Sequence, residues 1–341
     1  GYWAMWQVVG HEEAVALLSR SLEKDMLSHA YLFVGPPRVG KTTLAINLAQ
    51  AVNCLGSSTL RPCGECSQCR RIAAGQHPDV QVIDLLPNAS GSGIRKEIGI
   101  DQVREVQHSA NLKPYEGRCR VFIFQEASSL SAEASNALLK LLEEPPESVL
   151  LILLTTNGES IFPTILSRCQ RIGLSYPPLS SIARQLREVL GIPPQEAMDL
   201  ARLSKGRIGW ALEAARNPQL VADYTAELER MASLLDDTLE GRFAYAEEVA
   251  ALFARNPEKA LERLRVAVGW WRDLLVLKKG DGEFVANVPA REALQRHAGW
   301  ISTPQVVEAI KRSQDTVDCL GANVNPRLAL EVLMLSLPRR E

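Results

Sequence analysis

The sequence has little that would place the chain in a membrane, in a secretory pathway or along nucleic acid. Its longest apolar run, Val149 to Leu154, is far shorter than the ~20 residues that a membrane span needs. No secretory signal follows the N-terminus. The 38 Lys and Arg are offset by 40 Asp and Glu, a net charge of −2, which disfavours a protein that coats DNA by itself. We therefore expect a cytoplasmic protein whose DNA contacts are local or shared with partners.

The sequence also lacks internal repeats and low-complexity tracts. Its 46% hydrophobic and 23% charged residues are typical of a globular protein, and 341 residues allow two or three domains. Gly1 to Ala4 precede Met5, where we expect the native chain to begin.

Strand signals occur only in the first half of the chain, where they alternate with helix signals. The strand patterns are "AYLFVG", "VQVID", Val121 to Phe124 and "VLLILLTTN". Helix patterns cover residues 11–24 and 41–52, a stretch that Asp101 can cap, and a stretch from Ser131 to the prolines of "EEPP". This alternation predicts a parallel sheet covered on both faces and ending near Leu174.

Beyond "SYPPLS" only helices are predicted. Short ones fit residues 180–217, and longer ones, such as 257–279 and 304–317, fit the remainder. Trp270 and Trp271 are interpreted as helix core, with partner binding as the alternative. The chain is thus predicted to combine an α/β domain with a small helical domain and an all-helical C-terminal domain.

The strongest motif is "GPPRVGKTT", which matches G-x-x-x-x-G-K-[ST] between a strand and a helix. Its glycines let backbone N–H groups point at phosphate oxygens, and the following helix adds its positive end. Lys41 is expected to reach the β- and γ-phosphates, and Thr42 to hold magnesium. The alternative is a fortuitous glycine loop. The predicted nucleotide-binding residues are Gly35, Pro36, Pro37, Arg38, Val39, Gly40, Lys41, Thr42 and Thr43.

The strand in "VFIFQEASSL" ends at Gln125 and Glu126, where a nucleotide hydrolase usually has an Asp followed by a Glu. Glu126 could orient the attacking water, but the neutral Gln125 cannot hold a magnesium ion as a carboxylate would. This degenerate Walker B segment therefore predicts nucleotide binding without efficient turnover. The alternative is a misaligned core strand.

Four of the seven cysteines fall within sixteen residues as C-x8-C-x2-C-x2-C. Cys54, Cys63, Cys66 and Cys69 suit tetrahedral zinc, and four thiolates leave no open coordination position, so the zinc is expected to be structural. Buried free thiols or a redox pair are the alternatives. His77 is near enough to be a fifth candidate ligand but is interpreted as a loop histidine.

"LSRCQRI" places Arg168 between an apolar helix start and a strand. An exposed arginine here could reach a phosphate on an adjacent subunit and stabilise transition-state charge. The alternative is an ordinary surface ion pair.

In this order, "HAYLFVGPPRVGKTT", the four-cysteine segment, "NALLKLLEEPPE", "LLTTN" and "TILSRC" resemble the bacterial clamp-loader AAA+ proteins of the DNA polymerase III holoenzyme. The resemblance covers nearly the whole chain and is most specific between Ala30 and Ile172. Two branches of this family share these features, delta prime and the gamma/tau motor subunit. "GQHPDVQVID", "IGIDQVREV" and "NVNPRLALEVLML", together with the lack of a long tail after Glu341, favour the delta prime branch.

The resemblance implies a RecA-like AAA+ domain at residues 1–174 with a zinc-binding insert at 54–69, a three-helix lid at 175–219 and an oligomerising helical collar at 220–341. It implies a hetero-pentameric ring with gamma/tau and delta subunits that loads the sliding clamp onto primer-template DNA. In the delta prime branch the subunit is a stator, and Arg168 would complete a neighbouring subunit's ATP site. Adenine contacts would be Val8, Val9 and Gly10, with ATP or ADP and Mg²⁺ as ligands.

Two departures from the motor branch fit this assignment. Gln125 replaces the magnesium-holding acid, and Gly209 in "SKGRIGWALEAA" stands where the motor subunit has a phosphate-sensing Arg. Arg207, two residues away, leaves the second departure open. We expect little or no intrinsic ATPase in a component of a polymerase holoenzyme. The alternatives are a gamma/tau-like motor subunit and a zinc-containing nucleic-acid-binding adaptor, the latter disfavoured by the acidic balance.

Overall fold

Strands and helices alternate in the first half of the chain because its apolar residues recur at both strand and helix spacing. The structure, a computed structural model, describes residues 6–56, 61–87, 97–321 and 324–339. The strands are β1 Ala30–Val34, β2 Val80–Ile83, β3 Arg120–Phe124, β4 Val149–Thr155 and β5 Gln170–Gly173. The helices among them are α1 Glu12–Glu23, α2 Lys41–Asn53, α3 Ser67–Ala73, α4 Ile100–Ala110, α5 Ala132–Glu143 and α6 Pro163–Leu166.

The five strands form one parallel sheet in the order β2-β3-β4-β1-β5. β1 lies between β4 and β5, with Tyr31 opposite Ile152 on one side and Gln170 on the other. All carboxyl ends of parallel strands lie at one edge of a sheet, where α/β proteins bind their ligands. The sheet therefore has a carboxyl edge, reached after Val34, and an amino edge, from which β5 begins.

Helices cover both faces of the sheet, as predicted from strands that are apolar on both sides. Tyr31 and Phe33 pack in one buried cluster with Leu44 and Leu48 of α2. Leu32 and its neighbours on the opposite face pack in a second cluster that includes α4 and α5 residues. The alternation along β1 thus places α2 directly behind the loop that joins it to the strand.

One local prediction is wrong. Asp101 lies in the first turn of α4, and Gly99 is the residue that caps this helix. The Gly99 N–H donates to the Gln102 side chain at 3.3 Å, so a glutamine three residues later satisfies the end of the helix. An acidic residue in the first turn still favours the helix through its dipole.

Only helices are seen in the described residues beyond β5. They are α7 Leu179–Leu190, α8 Pro194–Ser204, α9 Ile208–Arg216, α10 Pro218–Asp236, α11 Leu239–Arg255, α12 Pro257–Lys278, α13 Arg291–Ala298, α14 Thr303–Gly321 and α15 Pro326–Ser336, with short 3₁₀ turns. Trp270 and Trp271 are fully buried, which confirms their interpretation as helix core. None of the helices in the described part of the chain combines the length and apolarity of a membrane span.

The chain divides into two compact units. The first comprises residues 1–185 and 206–209, and the second comprises residues 186–205 and 210–341. The first unit contains the sheet and the second contains the long helices. The finer division into AAA+ domain, lid and collar remains a prediction.

A buried arginine joins the helix ends of the second unit. Arg242 is completely buried, and burial lowers the pKa of this guanidinium. Its acceptors among the described residues are all backbone carbonyl oxygens. Its acceptors are Leu234 at 2.9 Å, Leu235 at 3.2 Å, Met334 at 3.4 Å, Leu337 at 3.1 Å and Pro338 at 2.7 Å. Because the last four carbonyls of a helix lack intrahelical partners, one side chain satisfies the ends of both α10 and α15.

Replacing Arg242 by methionine should lower the free energy of unfolding by about 3–5 kcal/mol, since several buried acceptors lose their donor. Hydrogen exchange followed by mass spectrometry should show faster exchange in α15, with α1 unchanged. Arg255→Met, at an exposed position of α11, is the matched control. Unchanged protection of α15 in Arg242→Met would contradict this role.

Candidate functional site

The predicted phosphate loop connects β1 to α2 at the carboxyl edge of the sheet. Gly40 caps α2 with a φ of 110°, a backbone conformation that residues other than glycine rarely adopt. A Cβ added to Gly40 would also lie 3.2 Å from Cγ2 of Val8. Glycine therefore permits both the turn and the close approach of the N-terminal segment.

Lys41 is folded back over this loop. Its Nζ donates to the carbonyl oxygens of Gly35 at 2.6 Å and Pro36 at 2.8 Å. Burial lowers the pKa of Lys41, and the nearby Glu126 carboxylate partly opposes that shift. The ammonium group thus lies where the oxygens of a bound phosphate could replace the two carbonyls as its acceptors.

The end of β3 lies against the start of α2. The Thr42 hydroxyl donates to Oε1 of Gln125 at 2.9 Å, and Glu126 accepts from the Ser128 hydroxyl. The position next to the hydroxyl that is expected to hold magnesium is therefore occupied by a neutral amide oxygen. The Thr42 hydroxyl and the Gln125 amide are oxygen ligands that a divalent ion accepts, but neither carries the negative charge of a carboxylate.

The N-terminal segment packs beside the loop. Gly10 has a φ of 74°, and a Cβ there would collide with Pro177 at 2.3 Å. The next residue, His11, is buried, with its Nε2 2.8 Å from the Val39 carbonyl, and burial lowers its pKa. Val8 thus borders the phosphate loop, while the adenine contacts expected of Val8, Val9 and Gly10 remain a prediction.

Arg168 is not part of this group. It follows α6 and precedes β5, whose first residue, Gln170, pairs with Tyr31 near the start of β1. The phosphate loop begins only after β1 ends, and a strand of five residues is about 16 Å long. The structure therefore places Arg168 at the amino edge of the sheet, away from the chain's own phosphate loop.

Arg168 is held by three acceptors. Its Nη1 donates to the Thr164 carbonyl at 2.9 Å and to the Ser167 hydroxyl at 3.1 Å. Its Nη2 donates to Oε1 of Glu143 at 2.8 Å. Arg168 is 35% exposed and Glu143 50% exposed. The ion pair considered for this arginine is present, and the guanidinium remains accessible from outside.

The four clustered cysteines come together in the first unit. The sulfurs of Cys54, Cys63, Cys66 and Cys69 all lie within 4.8 Å of one another. Tetrahedral zinc with Zn–S bonds of ~2.3 Å places its sulfurs about 3.8 Å apart, so the cluster fits this ion with small adjustments. His77 is outside the cluster, since its Nε2 meets Gln68 and its Nδ1 accepts from the Asp79 N–H at 3.1 Å.

Backbone N–H groups point at these sulfurs and stabilise thiolates. Cys66 is the N-cap of α3 and accepts from the Cys69 N–H at 3.4 Å. Burial raises the pKa of Cys54 and of Cys69. Burial acts in the same direction on Cys66, but N–H donors from Cys69 and Leu55 and the neighbouring thiols outweigh it and lower its pKa to about 6.

A row of buried amides on α2, missed in the sequence, supports this cysteine cluster. Gln50 donates to the Cys69 carbonyl at 2.8 Å and accepts from Asn47 at 3.0 Å, and Asn47 accepts from the Gln7 N–H at 2.8 Å. One turn further on, Asn53 accepts from the N–H groups of residues 118 and 119. Polar residues at positions i, i+3 and i+6 of an otherwise apolar helix were the available signal.

Gly209, one of the two residues considered for phosphate sensing, lies beside the loop. The Gly209 N–H donates to the Arg38 carbonyl at 3.1 Å, and a Cβ at Gly209 would meet Arg38 at 3.5 Å, an ordinary contact. Arg207 is buried and has an interaction partner. A side chain at position 209 would therefore fit beside the phosphate loop.

Comparisons with known proteins find relatives among the subunits of DNA polymerase III. A family model described as "DNA polymerase III, delta subunit" matches residues 10–178. DNA polymerase III subunit delta' of Bacillus subtilis is 29% identical over 322 residues, which cover 94% of this chain and 94% of that protein. DNA polymerase III subunit tau/gamma of Haemophilus influenzae is 33% identical over 279 residues, which cover 79% of this chain. The match covers only 38% of the length of that second relative.

A gamma subunit-related protein of Thermotoga maritima aligns with a TM-score of 0.44 and 19% identity over 94% of this chain and 97% of that one.

Proposed function

We propose that this chain, which belongs with the delta prime and gamma/tau subunits of bacterial DNA polymerase III, acts as the delta prime subunit of a clamp loader. In this role it is a stator in a hetero-pentamer with gamma/tau and delta subunits. The complex loads the sliding clamp onto primer-template DNA, using ATP, in the cytoplasm. Arg168 completes the ATP site of a neighbouring motor subunit.

The position of Arg168 carries this proposal. The arginine lies at the amino edge of the sheet, whereas the chain's own phosphate loop lies at the carboxyl edge. An arginine about one strand length from its own loop can assist phosphoryl transfer only on another chain. Its guanidinium would stabilise the negative charge that develops on the transferring phosphoryl group of the neighbour.

The chain's own nucleotide site supports a binding rather than a hydrolytic role. Gln125 lies against Thr42 and offers magnesium an amide oxygen without a negative charge. Gly209 contributes only a backbone N–H beside Arg38. ATP or ADP bound here would stabilise the fold without efficient turnover.

Helix α15 supports assembly with other subunits. Leu328, Val332 and Leu335 are exposed, at 57%, 50% and 52%, and their spacing places them on one face of the helix. An apolar stripe of this kind marks an interface. It lies in the part of the chain predicted to form the collar.

Lys41→Ala in this subunit should change ATP hydrolysis by the reconstituted complex by less than about twofold, because the catalytic sites belong to other subunits. Hydrolysis is measured in the presence of the clamp and primed DNA. Titration of ATP onto the purified chain, with and without Mg²⁺, checks separately that the substitution has removed nucleotide binding.

Two results would favour other functions. A large loss of hydrolysis with Lys41→Ala would indicate a gamma/tau-like motor subunit. Tight DNA binding by the purified chain, falling steeply with salt, would indicate a zinc-containing nucleic-acid-binding adaptor. The formal net charge of −2 speaks against the second outcome.

A further inference from the structure

Glu143 is the last residue of α5 and has no role in the functions considered so far. Its position follows from the topology, because α5 runs back from the carboxyl edge so that β4 can start at the amino edge. Arg168 reaches the same edge before β5. Two residues separated by 25 positions are thereby brought to a distance of 2.8 Å.

The three bonds of Arg168 leave part of its guanidinium available. A guanidinium has five N–H donors, and in Arg168 both hydrogens of Nη1 and one of Nη2 are used. Among the described residues, Nε and the second hydrogen of Nη2 have no partner. Two of the five donors therefore remain for an incoming acceptor, and a guanidinium can bind phosphate oxygens through two donors at once.

We infer that Glu143 is a positioning residue for Arg168, holding the guanidinium so that its unused donors, on Nε and Nη2, can bind a phosphate of a neighbouring subunit. This inference rests on the proposed function of Arg168. An unrestrained exposed arginine samples many rotamers, and it would lose this conformational entropy each time it bound the phosphate. Thr164 and Ser167 fix one end of the guanidinium, and Glu143 fixes the plane from the other.

The carboxylate is compatible with this role because it engages only one of the five guanidinium donors and leaves two unused. Both side chains are partly exposed, so water screens the repulsion between Glu143 and an approaching phosphate. An arginine that keeps three of its bonds while it donates two more needs no rearrangement at the moment of reaction.

The test is Glu143→Ala in the reconstituted clamp loader. We expect kcat for ATP hydrolysis to fall about five- to tenfold with KM for ATP unchanged, because orientation and not binding is lost. Glu143→Gln keeps an acceptor oxygen at the same reach and should retain most of the activity. Glu144→Ala is the matched control, since this adjacent, exposed carboxylate has no side-chain partner among the described residues.

A double variant separates positioning from a general effect on folding. In an Arg168→Ala background, Glu143→Ala should cause no further loss, because its effect acts through the arginine. A further loss there, a raised activity of Glu143→Ala, or equal effects of Glu143→Ala and Glu144→Ala would overturn the inference. If Arg168→Ala itself has no effect, the proposed function fails; if only Glu143→Ala has none, the inference alone fails.

Discussion

Arg168→Ala in this subunit should lower ATP hydrolysis at the neighbouring site of the reconstituted clamp loader by on the order of 10³-fold, the scale expected for an arginine donated in trans. The guanidinium delivers a full positive charge and a bidentate fork to the phosphoryl oxygens. A methyl group in its place leaves the developing charge to water. The measurement is clamp- and DNA-stimulated ATP hydrolysis, with single-turnover kinetics to isolate the affected site.

Two control variants make this result specific. Arg171→Ala removes the same charge from an exposed position in β5, three residues further along, and should leave hydrolysis unchanged. Arg168→Lys keeps the charge but not the planar fork and should recover little activity. Equal losses in Arg168→Ala and Arg171→Ala would show a nonspecific effect of surface charge and contradict the assignment.

The elements of the first unit could be predicted because their signals are local. A strand apolar on both faces, such as β4, and a glycine loop between β1 and α2 depend on residues close together in the sequence. The same holds for Trp270 and Trp271, whose place among the apolar residues of a long helix predicted their burial. The cap of α4 was mispredicted because Asp101 and Gly99 both suit a helix N-terminus, and the Gln102 side chain decides between them.

Long-range pairs could not be predicted in the same way. Glu143 stood out in the sequence only as the residue before a helix stop, and its contact with Arg168 depends on how two crossovers return to the amino edge of the sheet. The five carbonyl partners of Arg242 likewise belong to helix ends that are far apart in sequence. In both cases the chemistry of each residue is readable from sequence but its partner is set by topology.

Metal removal should have the largest effect on stability in the first unit. Cys69→Ser should abolish stoichiometric zinc, measured by metal analysis of the purified chain, because three thiolates and a hydroxyl hold zinc poorly. Cys69 also contributes the carbonyl that accepts from Gln50. Once the cluster opens, the buried Gln50 side chain loses its acceptor at a cost of about 1–3 kcal/mol. The hydrogen bond that Asn47 donates to Gln50 is then weakened as well.

The loss of hydrogen bonds should therefore spread from the cysteine cluster to α2. We expect it to lower Tm by roughly 10 °C, since about 1 kcal/mol corresponds to 2–4 °C in a unit of this size. Chelation of the metal from the unaltered chain should reproduce the shift, and added zinc should reverse it. Cys119→Ser is the matched control, because burial raises the pKa of this thiol to about 12 and it lies outside the cluster. Because Gln50 and Asn47 lie on the helix that starts at Lys41, the zinc-free chain should also bind ATP more weakly. A Cys69→Ser variant that keeps one zinc per chain, or that melts with the unaltered protein, would contradict a structural zinc site.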